Sequence, residues 1–110
     1  MVLLGFTKLK EKLLDGSKTQ TIRKPRKHPF EVGDRLQIYW KLRTKQCEKL
    51  GEAIVTKVVR KRLMNITNED AIKDGFDNLQ EFYRAFEKMH PKATIDDEFD
   101  IITFEWIKND

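Results

Sequence analysis

Hydrophobic residues alternate with polar ones in several short segments of the chain, and this pattern predicts β-strands. Leu36, Ile38 and Trp40 alternate with more polar neighbours, as expected of a strand with one face in the core. Apolar and β-branched residues predominate in four further segments, which are predicted strands at 2–6, 19–23, 50–60 and 99–106. The pattern therefore predicts about five strands.

Three helices are predicted between these strands. The first can be capped by Thr7, and Gly16 ends it because glycine readily adopts the left-handed conformation just past a helix. The second is short, starts at Thr67 or Asn68 and ends at Gly75. The third can be capped by Asp77 or Asn78, has apolar residues at i, i+3, i+4 spacing and ends before a proline.

The order of these elements indicates the fold class. Strands and helices do not alternate as βαβ units, which would build a parallel sheet. We therefore expect an α+β protein, a small mixed β-barrel of about five strands with about three helices packed against it. A length of 110 residues suits a single domain, 1–110, with one modest core.

Composition excludes several classes of protein. The chain lacks the run of ~20 apolar residues that crosses a bilayer, and its start lacks a basic leader, so we expect no membrane association. Cys47 is the single cysteine, which excludes an internal disulfide and a cysteine-based zinc cluster. We expect neither a metal nor a cofactor, and a cytoplasmic location is the default.

Charge is distributed unevenly along the chain. Residues 1–65 contain 17 Lys and Arg against 6 Asp and Glu, a net charge of +11, whereas 66–110 contain 5 against 12, a net charge of −7. A basic half is the usual electrostatic signature of a nucleic-acid partner, although the two halves could also neutralise each other in the fold. We expect an RNA or nucleoside ligand, and the residues predicted to hold phosphates are Lys24, Arg26, Lys27, Arg43, Lys57, Arg60 and Lys61.

One segment, Gly-Ser-Lys-Thr-Gln-Thr-Ile-Arg from Gly16 to Arg23, concentrates polar chemistry. Lys18 and Thr21 would face opposite ways on a regular strand, so they converge only if Lys18 still belongs to the turn. In that case Thr19, Thr21 and Arg23 point to one side, and the ammonium, hydroxyl and guanidinium groups suit an anionic or nucleotide-like ligand. The alternative is a solvated lysine before an ordinary edge strand.

The same segment resembles the glycine–x–lysine…arginine signature of the ASCH domains, a branch of the PUA-like fold. The turn at 32–36, the helical stretch at 69–76 and the final strand at 99–106 also resemble the corresponding parts of that family. The resemblance implies a PUA-like barrel that binds RNA or a modified nucleoside in a basic cleft. The floor of this cleft would be formed by Gly16, Lys18, Thr19, Thr21 and Arg23.

One branch of the ASCH domains implies a reaction. The segment is similar to that of small bacterial N4-acetylcytidine amidohydrolases, which implies catalytic roles for Lys18, Thr21 and, where those enzymes have glutamate, Asp74. A desolvated lysine can activate a threonine hydroxyl for attack on an acyl carbon. Because aspartate is one methylene shorter than glutamate and catalytic geometry tolerates little displacement, binding is the first expectation and hydrolysis the alternative.

Other conspicuous residues are predicted to be structural or exposed. His28 and His90 lie beside prolines without the spacing of a zinc site, so both are expected in exposed loops. Phe82 and Trp106 are expected in the core. Lys18 is expected to be an unpacked cleft residue whose removal leaves stability almost unchanged.

Overall fold

A computed structural model of the chain describes residues 2–7 and 9–107. Within these ranges the chain forms one sheet of five strands, β1 Val2–Phe6, β2 Gln20–Arg23, β3 Arg35–Trp40, β4 Glu48–Arg62 and β5 Glu98–Trp106. Its three α-helices are α1 Lys10–Leu14, α2 Asn68–Lys73 and α3 Leu79–Met89. A 3-10 turn, Leu63–Asn65, follows β4.

The strands lie in the order β1-β3-β4-β5-β2 and curl into a half-barrel. β1 pairs with β3 in parallel, and the other pairings are antiparallel. The chain therefore has the predicted α+β fold, a mixed curled sheet with three helices. The order leaves β1 and β2 as the two edges of the sheet, which positions the site described below.

The long strand β4 is bent by two irregularities of register, one opposite Ile38 and Tyr39 and one between Val55 and Lys57. The first lies next to Gly51, which pairs with Ile38. A Cβ atom on Gly51 would lie 2.9 Å from a ring carbon of Trp106, so only glycine allows this close approach. The bend lets β4 wrap around β3 and β5.

Apolar residues on the two faces of β5 belong to different cores. Ile102 and Phe104 pack on one face with residues of β1, β3 and α1, while Phe99 and Ile101 pack on the other face. The second face is covered by α2 and α3, and Phe82 is buried there as predicted. Trp106, in contrast, is only half-buried at the end of the strand.

Helix caps agree with the sequence in two helices and differ in the first. Thr67 caps α2 in a capping box, and Asn78 caps α3 by accepting a hydrogen bond from the Glu81 amide. The prediction for α1 was wrong, because its N-cap is Leu9 in a left-handed conformation, with no side-chain cap. No helix in the described ranges is long and apolar enough to cross a membrane.

Candidate active site

A cavity of about 560 Å³ opens between the edge strands β1 and β2 and the C-terminal half of α3. Its volume lies within the range of small-molecule sites, roughly 300–1,000 Å³. Much of its wall is apolar and comes from Leu3, Phe6, Phe30, Phe76 and Met89. The polar side chains that line it include Lys18, Thr21, Arg23 and Asp74.

Turns at the ends of two helices bring Lys18 and Asp74 together. Gly16 has a φ of +86° just after α1, and the Lys18 amide then donates to the Lys12 carbonyl at 2.9 Å. The next amide, that of Thr19, donates to the carbonyl of Lys73 at the end of α2. Lys18 therefore still belongs to the turn, as convergence with Thr21 requires.

Lys18 and Asp74 form a buried pair. The Lys18 Nζ atom donates to the Asp74 backbone carbonyl at 2.6 Å and also to the Oδ1 atom of the Asp74 carboxylate. Only 4% of Lys18 and 6% of Asp74 is exposed. The sequence-based expectation of an unpacked Lys18 was therefore wrong.

Burial shifts the pKa of both groups toward their neutral forms. It lowers the pKa of Lys18, although the Asp74 charge and hydrogen bond oppose this shift. It raises the pKa of Asp74 from 3.8 to about 6, again against the attraction of Lys18. Because burial disfavours both charges, the neutral form of the pair, with the proton on Asp74, is less disfavoured than it would be in water.

Arg23 links the two edges of the sheet and contacts the hydroxyl at the site. Its Nε donates to Thr21 Oγ1 at 3.3 Å, and its Nη2 donates to the Gly5 carbonyl of β1 at 2.7 Å. The Phe6 ring centroid lies 4.9 Å from the guanidinium carbon and 5.4 Å from Lys18 Nζ. An amine, a hydroxyl, a guanidinium and a carboxylate are thus held at one cavity wall.

Thr19 does not lie on the same side as Thr21 and Arg23, contrary to the sequence-based expectation. Regular strand geometry begins only at Gln20, so side-chain alternation does not extend back to Thr19. Thr19 is exposed and lines a second, smaller pocket of about 250 Å³ with Lys57 and Lys61.

The remaining predicted phosphate-binding residues divide between several surfaces. Lys24 and Arg26 are exposed at the outer end of the cavity, and Lys27 is exposed beside them. Arg43 is exposed in the connection between β3 and β4. Arg60 forms a salt bridge of 2.8 Å with the buried Asp100, while its own side chain is exposed.

His90 is a lining residue that the sequence did not reveal. It is half-buried, lines the cavity, and its ring centroid lies 4.6 Å from that of Phe86. The expectation of an exposed loop histidine was therefore wrong. The spacing of Phe82, Phe86 and His90 at intervals of four continues the apolar face of α3, and this signal could have located it.

This chain is similar to known proteins in structure but not in sequence. No family model and no curated protein matches the chain. An ASCH domain from Lactobacillus crispatus JV V101 superposes with a TM-score of 0.68 over 96% of this chain and 79% of that one, at 14% identity. The fold is ASCH-like.

A second solved structure supports the same assignment of the fold. A protein from Enterococcus faecalis V583, described under the family model DUF984, superposes with a TM-score of 0.69 at 18% identity. The alignment covers 88% of this chain and 68% of that one. The resemblance of the sequence to ASCH domains is thus confirmed at the level of the fold.

Proposed function

We propose that the cavity binds a modified pyrimidine nucleoside and hydrolyses an amide on its base, with N4-acetylcytidine as the substrate that the ASCH resemblance suggests. The observation that supports this function most strongly is the convergence of Lys18, Thr21 and Asp74 on one cavity. Sites where burial and a specific charge partner perturb pKa values are frequent at functional centres. The cavity volume and apolar walls suit a nucleoside-sized ligand.

The reaction begins with the neutral Lys18 amine, which accepts the proton of the Thr21 hydroxyl. The Oγ1 atom then attacks the acetyl carbonyl carbon and forms a tetrahedral intermediate. The carbon–nitrogen bond breaks as the proton held by Lys18 moves to the departing amino group, which releases cytidine. The acetyl group is left as an ester on Thr21.

Water completes the cycle. Lys18, now neutral again, accepts a proton from a water molecule that attacks the ester carbon. The carbon–oxygen bond to Thr21 breaks, the proton held by Lys18 returns to the threonine oxygen, and acetic acid leaves and loses its proton to solvent to become acetate. One water molecule is consumed in each turnover, and the Lys18–Asp74 pair ends with the proton it held at the start.

Asp74 and Arg23 support these steps in different ways. Asp74 takes up the proton of the pair when Lys18 is neutral, which its raised pKa favours. Arg23 donates a hydrogen bond to Thr21 Oγ1, the atom on which negative charge develops as the hydroxyl loses its proton to Lys18. A fixed cationic donor at that atom stabilises the developing charge.

The contact made by Asp74 supports hydrolysis over binding alone. Aspartate is shorter than the glutamate of the bacterial amidohydrolases, and the sequence alone therefore favours binding without catalysis. In this chain the carboxylate nevertheless contacts Lys18 Nζ, which also bonds to the carbonyl of the same residue. The end of α2 thus brings the backbone close enough for the shorter side chain to reach.

RNA binding is a second candidate function, favoured by the exposed cations beside the cavity. Lys24, Arg26 and Lys27 follow β2 within four residues and lie outside the apolar part of the cavity. Contacts between such residues and a phosphate backbone supply affinity without sequence preference. An RNA strand held there would present a modified nucleoside to the cavity.

Calorimetric titration of N4-acetylcytidine into the Thr21→Val variant tests whether the cavity is the binding site, because this variant cannot consume the ligand. Ala85 lines the cavity from α3, so adding Ala85→Phe should abolish the heat of binding. Gln80→Phe adds the same ring at an exposed position of α3 and should leave binding unchanged. The proposal would be overturned if the Ala85→Phe and Gln80→Phe variants bound the ligand equally well, or if Thr21→Val itself bound none.

A further inference from the structure

The cavity has an excess of positive charge. Among the described residues that line it, the cations Lys18, Arg23, Lys24 and Arg26 stand against one carboxylate, that of Asp74. Lys18 already engages this carboxylate at the inner end. The remaining cations therefore exceed what the site needs to bind an uncharged nucleoside.

Two of these cations stand at the outer end and face groups from other elements. Lys24 lies close enough to His90 to add to the effect of burial in lowering the pKa of that histidine. Arg26 lies over the Phe30 ring, with its guanidinium carbon 4.6 Å from the ring centroid, which orients the side chain. Two cations, from the end of β2 and the following loop, and a histidine at the end of α3 thus face one space.

Neither Lys24 nor Arg26 forms a salt bridge in the part of the chain that the structure describes. Unpaired cations at the open end of a cavity attract an anion and raise its local concentration. Guanidinium and ammonium groups are also the usual protein donors to phosphate oxygens.

We propose that Lys24, Arg26 and His90 form a subsite for a phosphate on the ribose, so that the preferred substrate is a nucleotide rather than a free nucleoside. This inference rests on the proposed function for its reaction. The base lies at the inner end, beside Thr21 and Lys18, and the ribose points toward the opening. A phosphate monoester on the ribose then reaches the outer cations.

The first test compares kcat/KM for N4-acetylcytidine with that for its 5′- and 3′-monophosphates. We expect one monophosphate to be preferred by about tenfold or more, the order expected of hydrogen bonds to a charged group. The Lys24→Gln/Arg26→Gln variant should lose this preference. Lys45→Gln/Lys92→Gln removes two exposed charges away from the cavity lining and should keep it.

A second readout separates this inference from the proposed function. Calorimetry with cytidine and cytidine monophosphates requires no turnover, and the monophosphate should bind about tenfold more tightly, with the difference lost in Lys24→Gln/Arg26→Gln. That result without any turnover would support the phosphate subsite and refute the hydrolase. Turnover of the nucleoside with no preference for either monophosphate would refute the subsite alone.

A third substrate, an RNA oligonucleotide, tests whether the subsite binds a terminal phosphate or a phosphodiester. A short single-stranded RNA with one internal N4-acetylcytidine presents the same base with phosphodiesters on both sides. If this oligonucleotide is preferred and neither monophosphate is, the outer cations serve an RNA backbone and the nucleotide inference is overturned.

Discussion

Lys18 and Asp74 are 56 positions apart in the chain, yet the ammonium of one donates to both the carboxylate and the backbone carbonyl of the other. Both side chains are almost completely buried, at the wall of a cavity that also contains Thr21. Removing two opposite charges from water is costly, and such a pair stabilises a fold little compared with apolar packing. Under the proposed function, the pair instead serves the Thr21 hydroxyl that lines the same cavity.

Breaking this pair should destabilise the protein strongly. We expect Lys18→Met and Asp74→Asn each to lower the free energy of unfolding by about 3–5 kcal/mol, because each leaves the other group buried without its partner. In the double variant the free energy of unfolding should fall by much less than the sum of the two single losses. Urea unfolding of the two single variants and the double variant measures these differences.

The chain offers a matched control in an exposed pair of the same types. Lys12 and Asp77 form a salt bridge of 3.2 Å with side chains 36% and 75% exposed. Lys12→Met and Asp77→Asn should each lower the free energy of unfolding by no more than about 1 kcal/mol, because exposed ion pairs contribute little to stability. Equal costs at the two pairs would contradict the buried, coupled character of Lys18 and Asp74.

The pH dependence of stability should reflect the raised pKa of Asp74. Its pKa is about 6 in the folded protein and 3.8 in the unfolded chain, so the folded protein binds more protons between these values. The contribution of Asp74 is therefore fully present below pH ~4 and is lost as the pH rises through about 6. Urea unfolding at several pH values should show this decline in the natural protein and not in Asp74→Asn.

The same group should set the acid side of the activity profile. Below pH ~6 both members of the pair are protonated, and Lys18 then lacks a partner that can take its proton. We expect kcat/KM for N4-acetylcytidine to rise as the pH increases through about 6. A flat profile between pH 5 and pH 7 would exclude the pair from the proton transfer.

RNA binding should depend steeply on salt if the exposed cations hold a phosphate backbone. Fluorescence anisotropy should show affinity for single-stranded RNA falling between low and physiological salt, by an amount that grows with the number of phosphates contacted. Arg26→Glu/Lys27→Glu should weaken binding to all sequences alike, whereas Lys45→Glu/Lys92→Glu should have less effect. An affinity for RNA that does not depend on salt would exclude binding of the phosphate backbone by these cations.

The fold could be predicted from the sequence because its signals are local. The alternation around Ile38, the cap at Thr67 and the glycines after α1 and α2 each act within a few residues. The start of α1 was predicted wrongly because its N-cap, Leu9, is in a left-handed conformation and makes no side-chain capping hydrogen bond, so the sequence carries no capping signal there. Its Cδ1 atom would lie 3.1 Å from a Cβ on Gly75, which places it in a tertiary contact rather than a local one.

The site could be predicted only in part. The spacing of Lys18, Thr21 and Arg23 indicated a polar cluster, and the ASCH resemblance singled out Asp74. The burial of Lys18 could not be predicted, because it depends on how the end of α2 packs against the turn after α1. The position of Thr19 depended on the residue at which β2 begins, and a shift of one residue reverses the face.

The most direct test of the central claim is the turnover of N4-acetylcytidine by the purified protein, followed as cytidine and acetate released. We predict turnover that falls by at least about a thousandfold in Thr21→Val, which lacks the nucleophile, and that persists in Thr21→Ser, which keeps a hydroxyl. Circular dichroism should show both variants folded. No turnover by the natural protein, or equal turnover by the folded Thr21→Val variant, would contradict the account.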